Sequence, residues 1–160
     1  NAFAWVAPVI VKADDASVLA TVLKARFDAT LAALVDSAAP VVGPQITKLP
    51  PPTGIDVHTA SYAAGHIALE LAKPAPEGSA LVVSENYYPG WVATADGKPA
   101  PVVRTDYSLI GVVLPTGATH VDLTFTSAAY ERGKLVTLLA LGLTIAWVIA
   151  GVAVDRRSRG

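Results

Sequence analysis

The feature that most constrains this chain is an uncharged apolar run near its C-terminus, Leu135 to Val154. The run has twenty residues, and a helix of that length rises about 30 Å, the thickness of a bilayer's hydrocarbon core. Its polar side chains are those of Thr137, Thr144 and Trp147, and a threonine hydroxyl can bond to the carbonyl one turn earlier. A soluble core helix rarely lacks a polar face over this length. The run therefore predicts a transmembrane helix.

Charged residues mark both ends of this helix, which we place at residues 131–155 with a tail at 156–160. Arg132 and Lys134 precede the apolar run, and three arginines follow it: Arg156, Arg157 and Arg159. Because cytoplasmic flanks carry an excess of Lys and Arg, this bias predicts a single-pass protein with a cytoplasmic C-terminus. The N-terminal domain is then expected to be extracytoplasmic.

Small residues recur every four positions in the predicted helix, at Gly142, Ala146 and Ala150. Such a spacing places them on one face and lets a second helix approach closely. The pattern predicts a helix-packing face toward other membrane protein subunits.

The composition of the whole chain excludes several classes of function. The net charge is −1 and only 16% of residues are charged, so the sequence carries no electrostatic footprint for nucleic acid. The absence of Cys excludes disulfides, thiol catalysis and thiolate metal sites. The chain begins at Asn1 and contains no Met, which leads us to expect a processed or partial product.

The first 37 residues are predicted to form a strand and a helix that pack on the main domain. Phe3 to Val11 is β-branched and aromatic but contains Pro8, which favours an edge strand. Asp14, Asp15 or Ser17 can cap a helix that runs to about Arg26. Phe27 to Asp36 is compatible with either a helix or a strand, and the Pro-rich residues 38–54 are predicted to be a linker.

From residue 55 the apolar residues alternate with polar ones, which is typical of half-buried strands. Asp96-Gly97 separates Trp91–Ala95 from Pro101–Thr105 and predicts a hairpin, because type I′ turns require positive φ. Further turns are expected at residues 76–78 and 115–117. Seven or eight short strands with regular turns predict a mainly β fold, an Ig- or jelly-roll-like β-sandwich over residues 55–130.

The sequence contains no pattern that predicts catalysis, a cofactor or a metal site. His58, His66 and His120 lie on separate predicted strands or loops without metal-ligand spacing, and we interpret them as surface or core-edge residues. Glu85, Asp96 and Asp106 could form a carboxylate pair, but the predicted turn already accounts for Asp96. No Gly-x-Ser-x-Gly motif or phosphate-binding loop is present. We therefore predict that the chain is not an enzyme.

Three aromatic rings next to a turn, at Tyr87, Tyr88 and Trp91, form the most distinctive cluster. They could stack on a sugar or lie at the lipid headgroup level. Trp91 could equally fill the core while the tyrosines brace the turn.

From Ser84 onward the sequence resembles the C-terminal extracytoplasmic domain of YfhO-type bacterial membrane proteins. The resemblance rests on the YYPGW turn, the DGKP hairpin, the Leu109–Leu114 strand, the PTG turn and an alternating strand before the final membrane helix. It implies a β domain with a final helix in a bacterial inner membrane. Members of that family are large polytopic proteins, thought to be glycosyltransferases that use lipid-linked sugars, and their catalytic carboxylate lies in an early loop outside this chain.

Three functional hypotheses follow. The first is a non-enzymatic, membrane-anchored accessory or structural subunit of a larger membrane complex, for example a respiratory or photosynthetic one. The second is the non-catalytic C-terminal domain of a polytopic glycosyltransferase. The third is a carbohydrate-binding module that uses Tyr87, Tyr88 and Trp91.

Overall fold

A computed structural model describes residues 2–41, 47–127, 133–134, 136–145 and 147. The chain divides into two compact units, Asn1–Thr126 and Ser127–Gly160. We call the first unit the β domain. The name C-terminal helix is used for the helical residues of the second unit, 133–134, 136–145 and 147.

The described part of the β domain contains one helix and eleven strands. The helix α1 is Asp15–Val22. The strands are β1 (Ala4–Ala7), β2 (Ile10–Ala13), β3 (Ala33–Asp36), β4 (Val57–Ala63), β5 (His66–Leu71), β6 (Ala80–Asn86), β7 (Trp91–Ala95), β8 (Lys98–Ala100), β9 (Val102–Thr105), β10 (Leu109–Val113) and β11 (His120–Phe125).

The strands form two sheets. The six-stranded sheet has the order β1-β6-β10-β9-β3-β2, and the five-stranded sheet has the order β4-β5-β11-β7-β8. Only β2 and β3 pair in parallel among the described strands. Buried side chains of both sheets form one apolar cluster, which includes Val83 and Ile110 from the first sheet and Leu69 and Leu123 from the second. The fold is mainly β and sandwich-like, as the alternating pattern predicts.

The period-two pattern identifies the core positions correctly in β5 and at two of the three apolar positions of β11, whereas Val57 of β4 is half-buried and Phe125 is exposed. Ile67, Leu69 and Leu71 are buried in β5, and Val121 and Leu123 are buried in β11. Because successive strand residues point to opposite faces, their polar neighbours face outward.

The N-terminal residues contribute more to the sheet than the sequence suggests. Pro8 separates β1 from β2, and these two strands lie at opposite edges of the six-stranded sheet, which agrees with the predicted edge position. The first 37 residues supply three strands of this sheet instead of packing on it. β3 lacks alternation because Ala33, Leu34 and Val35 are all buried; a strand covered on both faces is apolar throughout.

The predicted helix near the N-terminus is present but shorter. Asp14 caps it by accepting a hydrogen bond from the Ser17 backbone N–H at 3.0 Å. The helix ends at Val22 instead of continuing to Arg26. Val18 is its one buried residue, so little apolar packing stabilises a further turn.

The hairpin at Asp96-Gly97 is confirmed, but its second strand differs. Both turn residues have positive φ, 48° and 75°. A two-residue turn makes pairing start at once, so β7 pairs with Lys98–Ala100. Pro101 then ends this strand, and the chain continues as β9 in the other sheet. The sequence-based assignment of Pro101–Thr105 to the hairpin is therefore wrong.

In the C-terminal helix, both threonine hydroxyls bond as predicted. Thr137 Oγ1 donates to the Gly133 carbonyl at 2.9 Å and Thr144 Oγ1 to the Ala140 carbonyl at 2.8 Å. Within the described residues, no helix has the length and apolar character needed to cross a membrane. The predicted span extends beyond them, since Leu135, Ala146 and residues 148–154 lie outside the described part of the chain.

Candidate functional site

The YYPGW segment forms a tight turn between the two sheets. The Tyr87 backbone N–H donates to the Ser108 carbonyl at 2.7 Å, which ties this turn to the loop before β10. Gly90 has φ of 123°, and a Cβ there would lie 2.4 Å from the Thr126 carbonyl oxygen. The Thr126 N–H donates to the Gly90 carbonyl at 2.8 Å. Only glycine fits this close approach of two backbones.

The three aromatic rings of this turn do not share one environment. Tyr87 and Trp91 are half-buried and pack against the core cluster. The Trp91 ring meets the Phe125 ring edge-on, with centroids 5.5 Å apart. Tyr88, by contrast, is 59% exposed. Two rings therefore pack against the domain and one is free for contact, so the three residues do not present a single flat stacking platform.

Further aromatic side chains lie at the same end of the β domain. The Tyr62 ring meets the Phe3 ring edge-on at 5.7 Å, and its hydroxyl donates to Glu85 Oε1 at 2.5 Å. This hydrogen bond raises the pKa of Tyr62. Strand pairing places Ala63 beside His66, and His66 beside the C-terminal end of β11. We call this region the aromatic end and define it by five exposed or half-buried side chains, Tyr62, Tyr88, Trp91, Tyr107 and Phe125.

Charged and polar side chains gather at the opposite end of the five-stranded sheet, which we call the charged end. The strand register aligns His58 with Glu70 and Glu70 with His120. His120 Nε2 lies 3.5 Å from Glu70 Oε1, and its Nδ1 lies 3.9 Å from Asp96 Oδ1. Hydrogen bonds from the His120 and Thr119 backbone N–H groups lower the pKa of Asp96.

Sequence reasoning missed these histidine–carboxylate contacts because they depend on cross-strand register. His66 shows the same effect, with Nε2 at 3.8 Å from Asp122 Oδ1. The described residues nevertheless contain no group of three or more His, Asp or Glu side chains arranged to hold a metal ion.

The three acidic residues considered as a catalytic pair have separate partners. Asp96 lies at the charged end, Glu85 accepts from Tyr62, and Asp106 is buried beside β3. Asp106 Oδ1 accepts from the Leu34 N–H at 2.9 Å, while Oδ2 has no hydrogen-bond partner among the described residues. Burial raises the pKa of Asp106 to about 6.

Positive φ distinguishes the loop that contains Asp106. Asp106 and Tyr107 have φ of 46° and 76°, an uncommon backbone conformation for residues other than glycine. Arg104 stabilises this loop by donating to the Tyr107 carbonyl at 2.9 Å, and it pairs with Asp15 and Asp36 at 2.6 and 3.3 Å. These contacts connect α1, β3 and β9. We interpret Arg104 and its two carboxylate partners as residues that stabilise the fold.

A cavity of about 390 Å³ lies between α1, β2 and β3. Its lining is mainly apolar and includes Val11, Val18, Phe27, Leu31 and Leu34. Such a surface can enclose an apolar group. Lys24, Arg26 and Asp28 also line the cavity.

The predicted helix-packing face is described in part. Among the described residues, a Cβ built at Gly142 would meet no atom of another segment within 4 Å. Ala146 and Ala150 lie outside the described residues. Around Gly142, the described large apolar side chains of the C-terminal helix are all more than half exposed: Val136, Leu138, Leu139, Leu141, Leu143, Ile145 and Trp147.

Comparison with family models, curated proteins and solved structures found no match for this chain.

Proposed function

We propose that this chain is a non-enzymatic, membrane-anchored accessory or structural subunit of a larger bacterial membrane complex. The observation that carries the proposal is the exposure of large apolar side chains along the C-terminal helix. In water that exposure is unfavourable by about 25 cal/mol per Å² of apolar surface. Lipid or a neighbouring membrane helix would remove it.

The sequence supports the same interpretation. The helix belongs to an uncharged run of twenty residues, Leu135 to Val154, which is flanked by charged residues. In this proposal the run crosses the inner membrane, the tail at 156–160 is cytoplasmic, and the Ig- or jelly-roll-like β domain is extracytoplasmic. Gly142, Ala146 and Ala150 would form the contact with a partner helix.

The resemblance to YfhO-type proteins supports a second candidate. The chain would then be the C-terminal part of a polytopic protein, and its apolar helix would be the last of several. The catalytic carboxylate would lie outside this chain, so the β domain would again be non-catalytic.

Membrane insertion is tested by alkaline carbonate extraction of membranes that contain the full chain. Wild type should stay in the pellet. Replacing both Leu139 and Leu143 with Arg should release it, because two central arginines cost roughly 5–7 kcal/mol on insertion. Leu23→Arg is the matched control, since Leu23 is also largely exposed but belongs to the β domain, and it should stay in the pellet. Extraction of wild type would contradict the proposal.

Purification in mild detergent, followed by mass spectrometry, then separates the two candidates. A stoichiometric set of partner subunits would support an accessory role. Recovery of these residues as part of one long polytopic chain would support the glycosyltransferase domain instead.

A further inference from the structure

The two ends of the β domain differ in chemistry. The aromatic end carries Tyr62, Tyr88, Trp91, Tyr107 and Phe125. The loops at the charged end, residues 72–79, 96–97 and 114–119, contain no Phe, Tyr or Trp. They and the adjoining strand ends instead carry ionisable side chains: His58, Glu70, Lys73, Glu77, Asp96, Lys98 and His120. Ionisable side chains also occur at the aromatic end, at His66 and Glu85, so the exposed aromatic rings are what distinguish it.

The polypeptide leaves the β domain at the aromatic end. β11 finishes at Phe125, whose N–H donates to the Gly65 carbonyl at 2.8 Å. Nine residues then separate Phe125 from Leu135, the start of the uncharged run. Even fully extended, this connection spans at most about 35 Å. The charged end lies at the other end of β11, about 20 Å from Phe125, the length of a six-residue strand.

Two exposed tyrosines give the aromatic end an amphipathic surface. Tyr62 and Tyr88 are 60% and 59% exposed, and each combines an apolar ring with a hydroxyl. Side chains of this type are enriched where a membrane meets water, because the ring leaves water while the polar group stays hydrated. Tyr107, Phe125 and the neighbouring Val92 add exposed apolar surface.

From these observations we infer that the aromatic end rests in the lipid headgroup region of the bilayer and the charged end points away from it. The partner of this surface is therefore phospholipid, not protein or sugar. The inference rests on the proposed membrane anchor, which it extends to the orientation of the β domain.

Site-specific labelling tests this orientation cleanly because the chain contains no Cys. Three single-cysteine variants of the full chain, Ala64→Cys, Lys98→Cys and Leu139→Cys, would carry an environment-sensitive NBD label in phosphatidylcholine–phosphatidylglycerol vesicles. Residues 64 and 98 are exposed turn and strand positions at the aromatic and charged ends. Quenching is measured with lipids that carry a nitroxide on the headgroup or on the acyl chain.

Each pattern of quenching has a distinct meaning. The expected result is acyl-chain quenching at residue 139 and headgroup quenching at residue 64 at least about threefold that at residue 98, because the two ends are about 20 Å apart. Quenching at 139 with equal headgroup quenching at 64 and 98 would overturn the orientation but keep the anchor. No quenching at any position would overturn the proposed function and this inference together.

A second set of variants tests the chemistry of the surface. Tyr62→Ser with Tyr88→Ser should remove most of the difference in quenching between residues 64 and 98. Glu77→Ser with Lys73→Ser, at the charged end, is the matched control and should leave the difference unchanged. If the tyrosine variant kept the full difference in quenching between residues 64 and 98, the two tyrosine side chains would be excluded as the cause of the orientation. Circular dichroism confirms that each variant is folded.

Discussion

Leu123 and Leu143 have the same side chain and opposite surroundings. Leu123 in β11 is completely buried between the sheets, whereas Leu143 in the C-terminal helix is 72% exposed. The β domain removes its apolar residues from water by pairing strands and joining two sheets. The described large apolar residues of the C-terminal helix are not buried in this way, and in the proposed function lipid or another protein covers them. This difference makes the helix, not the β domain, the stronger indicator of function.

The largest expected effect comes from truncating each of these two leucines in turn. Leu123→Ala should lower the free energy of unfolding of the β domain by about 2–5 kcal/mol, because it leaves a cavity in the core. Leu143→Ala should change it by less than about 0.5 kcal/mol. Both are measured by urea denaturation of the full chain in mild detergent, followed by tryptophan fluorescence. Similar losses for the two variants would show that the helix is part of the cooperative fold.

A second prediction concerns Asp106, the one buried carboxyl group in the described β domain. The apolar run of the C-terminal helix, by contrast, contains no ionisable group. The pKa of Asp106 is raised from 3.8 to about 6 by burial. A raised pKa in the folded state means that protonation stabilises the fold. The stabilisation is complete below pH 4 and lost as the pH rises through 6. It amounts to at most about 3 kcal/mol.

Asp106→Asn should abolish this part of the pH dependence. The free energy of unfolding, measured by urea denaturation from pH 4 to pH 7, should fall with pH in wild type more steeply than in the variant. Asp122→Asn is a control, since Asp122 is exposed and should retain the wild-type slope. Parallel profiles for wild type and Asp106→Asn would contradict the assignment.

The smallest expected effect concerns the boundary between the two regions. Gly90→Ala forces a Cβ against the Thr126 carbonyl, at the last residue of the β domain. Gly117→Ala also places a side chain at positive φ, but that Cβ would meet nothing within 4 Å. Thermal or urea unfolding should therefore show a loss about 1–3 kcal/mol larger for Gly90→Ala. Equal losses would mean that backbone strain alone, without the Thr126 contact, determines the cost.

Much of the fold could be predicted because the relevant signals are local. Asp96-Gly97 indicates its turn by the positive φ that only a few residue types tolerate. The alternation in β5 and β11 follows from one buried and one exposed face. Pro8 breaks the N-terminal run because proline lacks the N–H that a central strand needs.

The positions that could not be predicted depend on contacts distant in sequence. Phe27 to Asp36 is ambiguous in the sequence because burial of Ala33–Val35 on both faces of the sheet removes the alternation on which a strand assignment depends. The strand after Gly97 was misplaced because the change of sheet at Pro101 is a property of the tertiary path. The pairing of His120 with Glu70 and the burial of Asp106 also require the strand register.

By itself, the sequence determined the class of fold, the principal turns and the apolar character of the C-terminal run, because these depend on side-chain type and spacing within one segment. The tertiary structure alone decided which sheet each strand joins, and it brought Tyr62, Tyr88, Trp91 and Phe125 to the end where the chain leaves the β domain. Strand pairing is the physical reason. Strand pairing brings together residues that lie far apart in the sequence, such as Leu34 and Asp106. The register of that pairing depends on both strands, so neither segment alone determines it.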